Sequence, residues 1–281
     1  MVSGPATTTP HSADRWAALP AVALAMLASG PASGQNGPWT WREADHLLQI
    51  GHGEGAEGFQ CGALHLDSGY LRLVPAPDAG WGTSVVLVPA FWAAGTYHQG
   101  TPVTVESIEV VEGDVVLRLL GKVEALQVQL AVTVHPPGGG TIRADIEART
   151  EGTVQLDDRP REAFKPLMLS SMRISATQWD AQAVVTDGAE HAIPAEGWML
   201  AEPLTTRTFG LRGGDSEWKP RAPTVLIQWP QPVTVAGWVT PSNDPNDDNL
   251  GLWAASDEGL AEWHGTIVVR TADANGATVT P

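Results

Sequence analysis

Apolar and polar residues alternate through much of the middle of the chain. Tyr70-Leu-Arg-Leu-Val, Ser84-Val-Val-Leu-Val, Val103-Thr-Val-Glu-Ser-Ile-Glu-Val-Val, Val115-Val-Leu-Arg-Leu-Leu, the stretch 123–134 and Thr141-Ile-Arg-Ala-Asp-Ile-Glu-Ala either repeat every second position or run β-branched. A period of two sends successive side chains to opposite faces of a strand, and β-branched residues fit a pleated surface. Antiparallel sheets with one face on a core and one face wet produce this alternation. Glu112-Gly-Asp and Pro136-Pro-Gly-Gly-Gly punctuate the run as turns, so 103–148 is predicted to be a meander. Further strands are predicted at 179–186, 198–200, 206–211, 224–229, 233–240 and 263–270. The stretch Trp39–Ile50 is the best helix candidate, although Leu47, Leu48 and Ile50 also suit a first strand. Between Gly51 and Gly62 the sequence reads as a glycine-rich loop carrying His52, Glu54, Glu57 and Cys61.

The fold expected from this pattern is all-β, an antiparallel two-sheet β-sandwich over residues 36–271 followed by a loose tail at 272–281. Galactose-mutarotase-like sandwiches are an architectural analogy for it. The alternative is one lipocalin-type β-barrel, or a pair of them. With 281 residues, 43% of them apolar, the chain can bury a proper core, and 30 glycines with 22 prolines favour many turns over long helices.

Residues 1–34 differ from the rest. Arg15 precedes an apolar run from Trp16 to Leu27, and small residues follow up to Gly34. The run is too short to span a bilayer but fits the apolar region of a secretory signal, with cleavage after Ala32 or Gly34. Asp14 and Pro20 depart from that pattern, and a packed or disordered N-terminal segment is the other reading. The expected location is therefore secreted or periplasmic, otherwise cytoplasmic, with no membrane span. Cys61 is the single cysteine, so no internal disulfide is available, and a small buried apolar role suits it better than a nucleophilic one.

A net charge of −16, from 32 acidic and 16 basic side chains, changes the expected partners. A surface this acidic repels nucleic acid and argues mildly against strongly anionic polymers, unless a local basic site overrides it. No Gly-x-Ser-x-Gly elbow, His-Glu-x-x-His helix, zinc cysteine pair or phosphate-binding glycine loop occurs, so serine hydrolase, zincin and dinucleotide chemistry are disfavoured, and no nucleotide or redox cofactor is expected.

Three segments concentrate candidate chemistry. The chain has 12 Trp against four Phe and two Tyr, and an indole suits sites where a ring stacks on the apolar face of a sugar. In Phe91-Trp-Ala-Ala-Gly-Thr-Tyr-His, Trp92 is a stacking candidate, while Tyr97 and His98 are an acid–base candidate. With a nearby cation such as Lys165, Arg173, Lys219 or Arg221, this pair would suit proton abstraction beside a uronate carboxylate, as in polysaccharide lyases. The Gly-Gly-bounded segment ending at Arg221 alternates Asp215, Glu217, Lys219 and Arg221 with Trp218, a candidate site wall whose acids would also serve glycoside hydrolysis. The third segment, Pro241–Trp253, is rich in Asn and Asp. Asp244, Asn246 and Asp248 alternate as in linear calcium loops, Asn243 and Asn249 suit hydroxyl recognition, and Trp253 closes the segment. Asx turns are the competing use of the same residues.

The leading functional expectation is a secreted carbohydrate-active protein, a polysaccharide lyase or glycoside hydrolase holding glycan in a Trp-lined groove. The alternatives are a β-barrel isomerase, hydratase, cyclase or binder for an apolar small molecule, and a non-catalytic, calcium-stabilised binding module.

Overall fold

The computed structural model describes residues 33–36, 38–53, 59–77, 84–87, 91–93, 95–98, 101–152, 172–175, 183–187, 189–192, 197–198, 204–212, 224–240, 249–254 and 262–271. Their regular backbone is entirely extended. The strands are β1 (Ser33–Asn36), β2 (Trp39–Ala44), β3 (Leu47–His52), β4 (Phe59–His65), β5 (Tyr70–Leu73), β6 (Ser84–Val86), β7 (Phe91–Ala93), β8 (Thr96–His98), β9 (Val103–Val111) and β10 (Asp114–Val123). They continue as β11 (Leu126–Val134), β12 (Thr141–Glu151), β13 (Met172–Ser175), β14 (Ala183–Thr186), β15 (Ala189–His191), β16 (Gly197–Trp198), β17 (Leu204–Arg212), β18 (Thr224–Thr240), β19 (Asn249–Ala254) and β20 (Glu262–Arg270).

Two antiparallel sheets, of nine and four strands, form the body. The nine-stranded sheet runs β15-β14-β17-β18-β20-β12-β11-β10-β9. Its second half is the meander expected from alternation: β9 to β12 are sequential hairpins. The four-stranded sheet is β2-β3-β4-β5. Pairing extends it through β1 on one side, and through β6, β13 and β19 on the other. No closed barrel forms, so the lipocalin-type alternative falls.

The expected helix at Trp39–Ile50 is instead the hairpin β2–β3. Asp45 (φ 52°) and His46 (φ 61°) both take the left-handed conformation. That is the two-residue turn whose twist matches paired strands. Opposite each other then lie Trp41 and Ile50, and Glu43 and Leu48. A strand period drops Leu48 and Ile50 into the core together, a placement that the helical reading obscured. The expected loop Gly51–Gly62 is likewise shorter, because Gly51–His52 belong to β3 and Phe59–Gly62 to β4.

The two sheets share one apolar core. Trp39, Leu48, Ile50, Cys61, Leu64 and Leu71 from the smaller sheet join Leu117, Val132, Ile146, Phe209, Ile227 and Ile267 from the larger. At about 25 cal/mol per Å² of apolar surface removed from water, each such large side chain contributes roughly 1.5–3 kcal/mol. Trp39 is fully buried and donates its indole N–H to the carbonyl oxygen of Gly113 at 2.7 Å. Strand β18 links the sheets covalently. Its first part pairs with β20, its last part with β19, and β17 follows it on both sides of a break in register. Between Gln228 and Val233 the register breaks, at the sequence Trp229-Pro-Gln-Pro. Proline has no N–H to give a ladder, so two of them suit the corner where one strand passes from sheet to sheet. The separate predictions for 224–229 and 233–240 thus describe one long strand.

Candidate functional site

Strand pairing sets up an unusual cross-strand register through the smaller sheet and the strands that extend it. Its register runs Ser33, Arg42, Gln49, Ala63, Arg72, Ser84, Arg173, Gly251, Trp238 and Trp198, one residue from each of β1, β2, β3, β4, β5, β6, β13, β19, β18 and β16. On β2–β5 the neighbours Leu48, Leu64 and Leu71 are buried in the core, whereas Arg42 is exposed and Gln49 and Arg72 are half-buried, so the pleat turns these positions away from the core, although Ala63 between them is also buried. Ten paired strands at about 4.8 Å spacing give this register a length of roughly 40 Å.

Charge on this track is reversed relative to the molecule. The row holds three arginines and no Asp or Glu. Positions two residues along the same strands are also without carboxylates: Thr40, Ala44, Leu47, His65, Tyr70, Val86, Ser175, Asn249, Trp253, Ala236 and Thr240. Arg72 is half-buried, and burial lowers its guanidinium from the ordinary value, with desolvation opposing the charged form. Tyr70 stands beside it on β5, opposite His65.

Of the residues singled out from sequence, Asn249 and Trp253 enter this arrangement. They stand on strand β19 rather than in a loop, two residues either side of Gly251, with Asn249 opposite Thr240 and Trp253 opposite Ala236. Arg173, one of the cations considered for the Tyr97–His98 pair, is in the row itself. Trp92 and Tyr97 are register partners in the small hairpin β7–β8. His98 ends that hairpin with Nε2 3.8 Å from Glu124 Oε1, at the β10–β11 turn. The chain after it returns to the smaller sheet: the N–H of Thr101 donates to Ser68 at 3.2 Å and that of Val103 to Leu66 at 2.7 Å, in and beside the β4–β5 turn. Asp215, Glu217, Trp218, Lys219, Arg221, Asn243, Asp244, Asn246 and Asp248 lie outside the described residues. Among the described residues, no group of three or more His, Cys, Asp or Glu side chains could hold a metal ion.

One polar cluster was not anticipated. On the nine-stranded sheet, His135 Nδ1 lies 3.0 Å from Asp114 Oδ2, and its Nε2 lies 2.7 Å from Asp145 Oδ2. Asp145 also accepts from the hydroxyl of Thr266 at 2.6 Å, and Arg143 Nη2 stands 3.1 Å from the same His135 ring nitrogen. Each ring nitrogen faces a carboxylate, so the imidazole ties β10, β11 and β12 together and offers no ring nitrogen to a substrate. The signal for it was present: once Val134 pairs with Ala144, the next residue, His135, must meet Arg143 and Asp145 across the hairpin.

Cys61 behaves as a buried small apolar residue. Burial pushes its thiol up to about 12, against a weaker lowering by a backbone hydrogen bond, so it stays protonated at neutral pH. The chain matches no known family model, and no curated protein resembles it significantly.

Proposed function

We propose that this chain is a carbohydrate-active protein that lays a glycan along the outer row of the smaller sheet. The observation that carries the reading is the register itself: Trp198 and Trp238 directly opposite, Trp253 and Asn249 on the next strand, and guanidiniums further along one track. Indoles suit the apolar faces of sugar rings, while arginine and asparagine suit their hydroxyls and acid groups. A track crossing many strands suits successive sugar units. Secretion fits this reading, as does calcium at Asp244, Asn246 and Asp248, which immediately precede β19 in the sequence.

A catalytic use of the face, as a lyase or glycosidase, is the second reading. It is favoured by His98, which has the Glu124 carboxylate at one ring nitrogen and Tyr97 as its sequence neighbour. At 3.8 Å the carboxylate is a charge neighbour rather than a hydrogen-bond partner, and a closer approach on substrate binding would let it orient the imidazole as a general base.

The test is binding to an immobilised panel of neutral and acidic polysaccharides, followed by reducing-end and unsaturated-uronate assays on those retained. Trp238→Ala and Trp253→Ala are expected to weaken retention while leaving the melting temperature close to wild type. A panel with no retained glycan would sink the proposal. Retention without new chain ends would leave a binding protein and remove the catalytic reading.

A further inference from the structure

The nine-stranded sheet ends on β9, and we infer that this edge takes up an extended basic segment of a partner protein as a further antiparallel strand. Among the described residues β9 pairs with β10 alone, although it is nine residues long. At the opposite end of the same sheet β15 has three residues, so β9 is the sheet's long edge. The two-residue turn Glu112-Gly113 makes Val111 and Asp114 a hydrogen-bonded pair. Alternation from there turns the N–H and C=O of Val110 and Ile108 away from β10. The register then leaves Glu106 as the extra residue of a bulge beside Ser107, opposite Arg118, so the next positions turned away are Val105 and Val103. Val103 bears out this parity, because its N–H donates to Leu66 at 2.7 Å rather than to β10. Beyond Val103, no such bond exists among the described residues, and Val105, Ile108 and Val110 present main-chain donors and acceptors to the open edge.

The side chains of this edge specify the occupant. From Thr104 to Val111 there is no Lys, Arg or Pro, the residues that commonly blunt an edge strand. The charge is all acidic: Glu106 and Glu109 are exposed, and no described base forms a salt bridge with either. Val105, Ile108 and Val110 pack against the core but are partly uncovered, and Val111, 48% exposed, is the one exposed large apolar side chain among the described residues. A second copy of the chain fits this edge poorly. Pairing Ile108 with Val110 of the other copy sets Glu109 against its own counterpart, and each chain carries a net charge of −16. A basic segment with alternating apolar residues fits on both counts. Its apolar residues would lie opposite Val105, Ile108 and Val110, share their inward face and carry the main-chain bonds. Its bases would stand between them on the outer face, beside Glu106 and Glu109. Main-chain bonds then supply affinity, and the alternating side chains supply selectivity.

The test uses the full chain and capped, fluorescent peptides alternating Lys and Val over about eight residues, enough to span Thr104–Val111. One peptide is unmodified, one is N-methylated at the Val amides and one at the Lys amides. The unmodified peptide is expected to bind, with an affinity that falls as salt rises. Methylation at Val should abolish binding, because those N–H groups face β9, and methylation at Lys should spare it. Glu109 is exposed, so Glu109→Gln is expected to fold normally and to weaken binding about threefold, the scale of one exposed ion pair. Glu147→Gln, an exposed acid on β12, is expected to leave binding unchanged. No binding of the unmodified peptide overturns the proposal. So does equal binding of all three peptides, which would reduce the contact to net charge, and so does loss on Lys methylation with Val methylation tolerated, which would exclude the antiparallel arrangement. A concentration-dependent dimer in sedimentation that the peptide dissociates also overturns it, in favour of a second copy of the chain.

Discussion

Trp39 and Gly113 are 74 residues apart, yet the indole N–H of one donates to the carbonyl oxygen of the other at 2.7 Å. The bond joins the start of the smaller sheet to the β9–β10 turn of the larger one. Next to Gly113, Asp114 meets His135, so the same turn is also tied to the β11–β12 end. Trp39→Phe keeps most of the buried ring but leaves that carbonyl without its indole donor. A loss of about 1–2 kcal/mol is expected in urea unfolding, and Trp39→Ala should cost roughly 3–5 kcal/mol. Equal costs for the two variants would show that the hydrogen bond, and not the ring, carries the link.

His52 meets Trp39 edge-on, with ring centroids 4.6 Å apart. Desolvation by burial lowers its titration point below 6.5. A histidine depressed in the folded state binds fewer protons folded than unfolded. The stability it contributes is therefore complete above 6.5 and is lost as pH falls through the folded value. Melting temperature should decline on acidification in that window, and His52→Gln should flatten the decline. An unchanged slope in the variant would assign the acid sensitivity elsewhere.

Cys61 should be silent to a thiol reagent at neutral pH in the folded protein, since it is buried and its thiol titrates at about 12. In denaturant one thiol per chain should react. Rapid labelling of the native protein would contradict the burial described for β4.

His135→Ala should cost about 1 kcal/mol or less, because its partners are partly exposed and water replaces much of what is lost. A double-mutant cycle with Asp114→Asn should return a coupling of the same order. Glycan affinity should not move, as both ring nitrogens are committed within the sheet. A drop in affinity without a drop in stability would make the cluster part of a binding site.

Much of the sandwich was legible in the sequence where one face of a strand is wet. Between Val103 and Ala148, polar residues at every second position announce both the strands and their inward faces, and short turns fix the order. The stretch Trp39–Ile50 hid its hairpin because the Asp45-His46 turn carries no glycine, and Asp and His signal a left-handed conformation only weakly. The outer row was invisible for a different reason. Arg42, Arg72, Arg173 and Trp238 come from distant parts of the chain, and only strand pairing sets them side by side. No local pattern encodes that adjacency. Asn249 and Trp253 were found as site candidates because they flank a polar segment, but their strand setting depends on β18 and β13, which the segment itself does not reveal.

Strand β18 sets an order of events during synthesis. β2–β5 and β9–β12 are local hairpins that can form as soon as each emerges, since neighbouring segments close quickly. The β12 edge waits for β20, which pairs in turn with residues 224–240, and the β5 edge is taken up by β6, so β18 reaches each meander only through other strands. Until then the nascent chain holds two preformed meanders with open edges, the kind of species that chaperones shield. A ribosome paused before Thr224 would therefore leave the β12 edge without β20, and release past Arg270 would supply that partner.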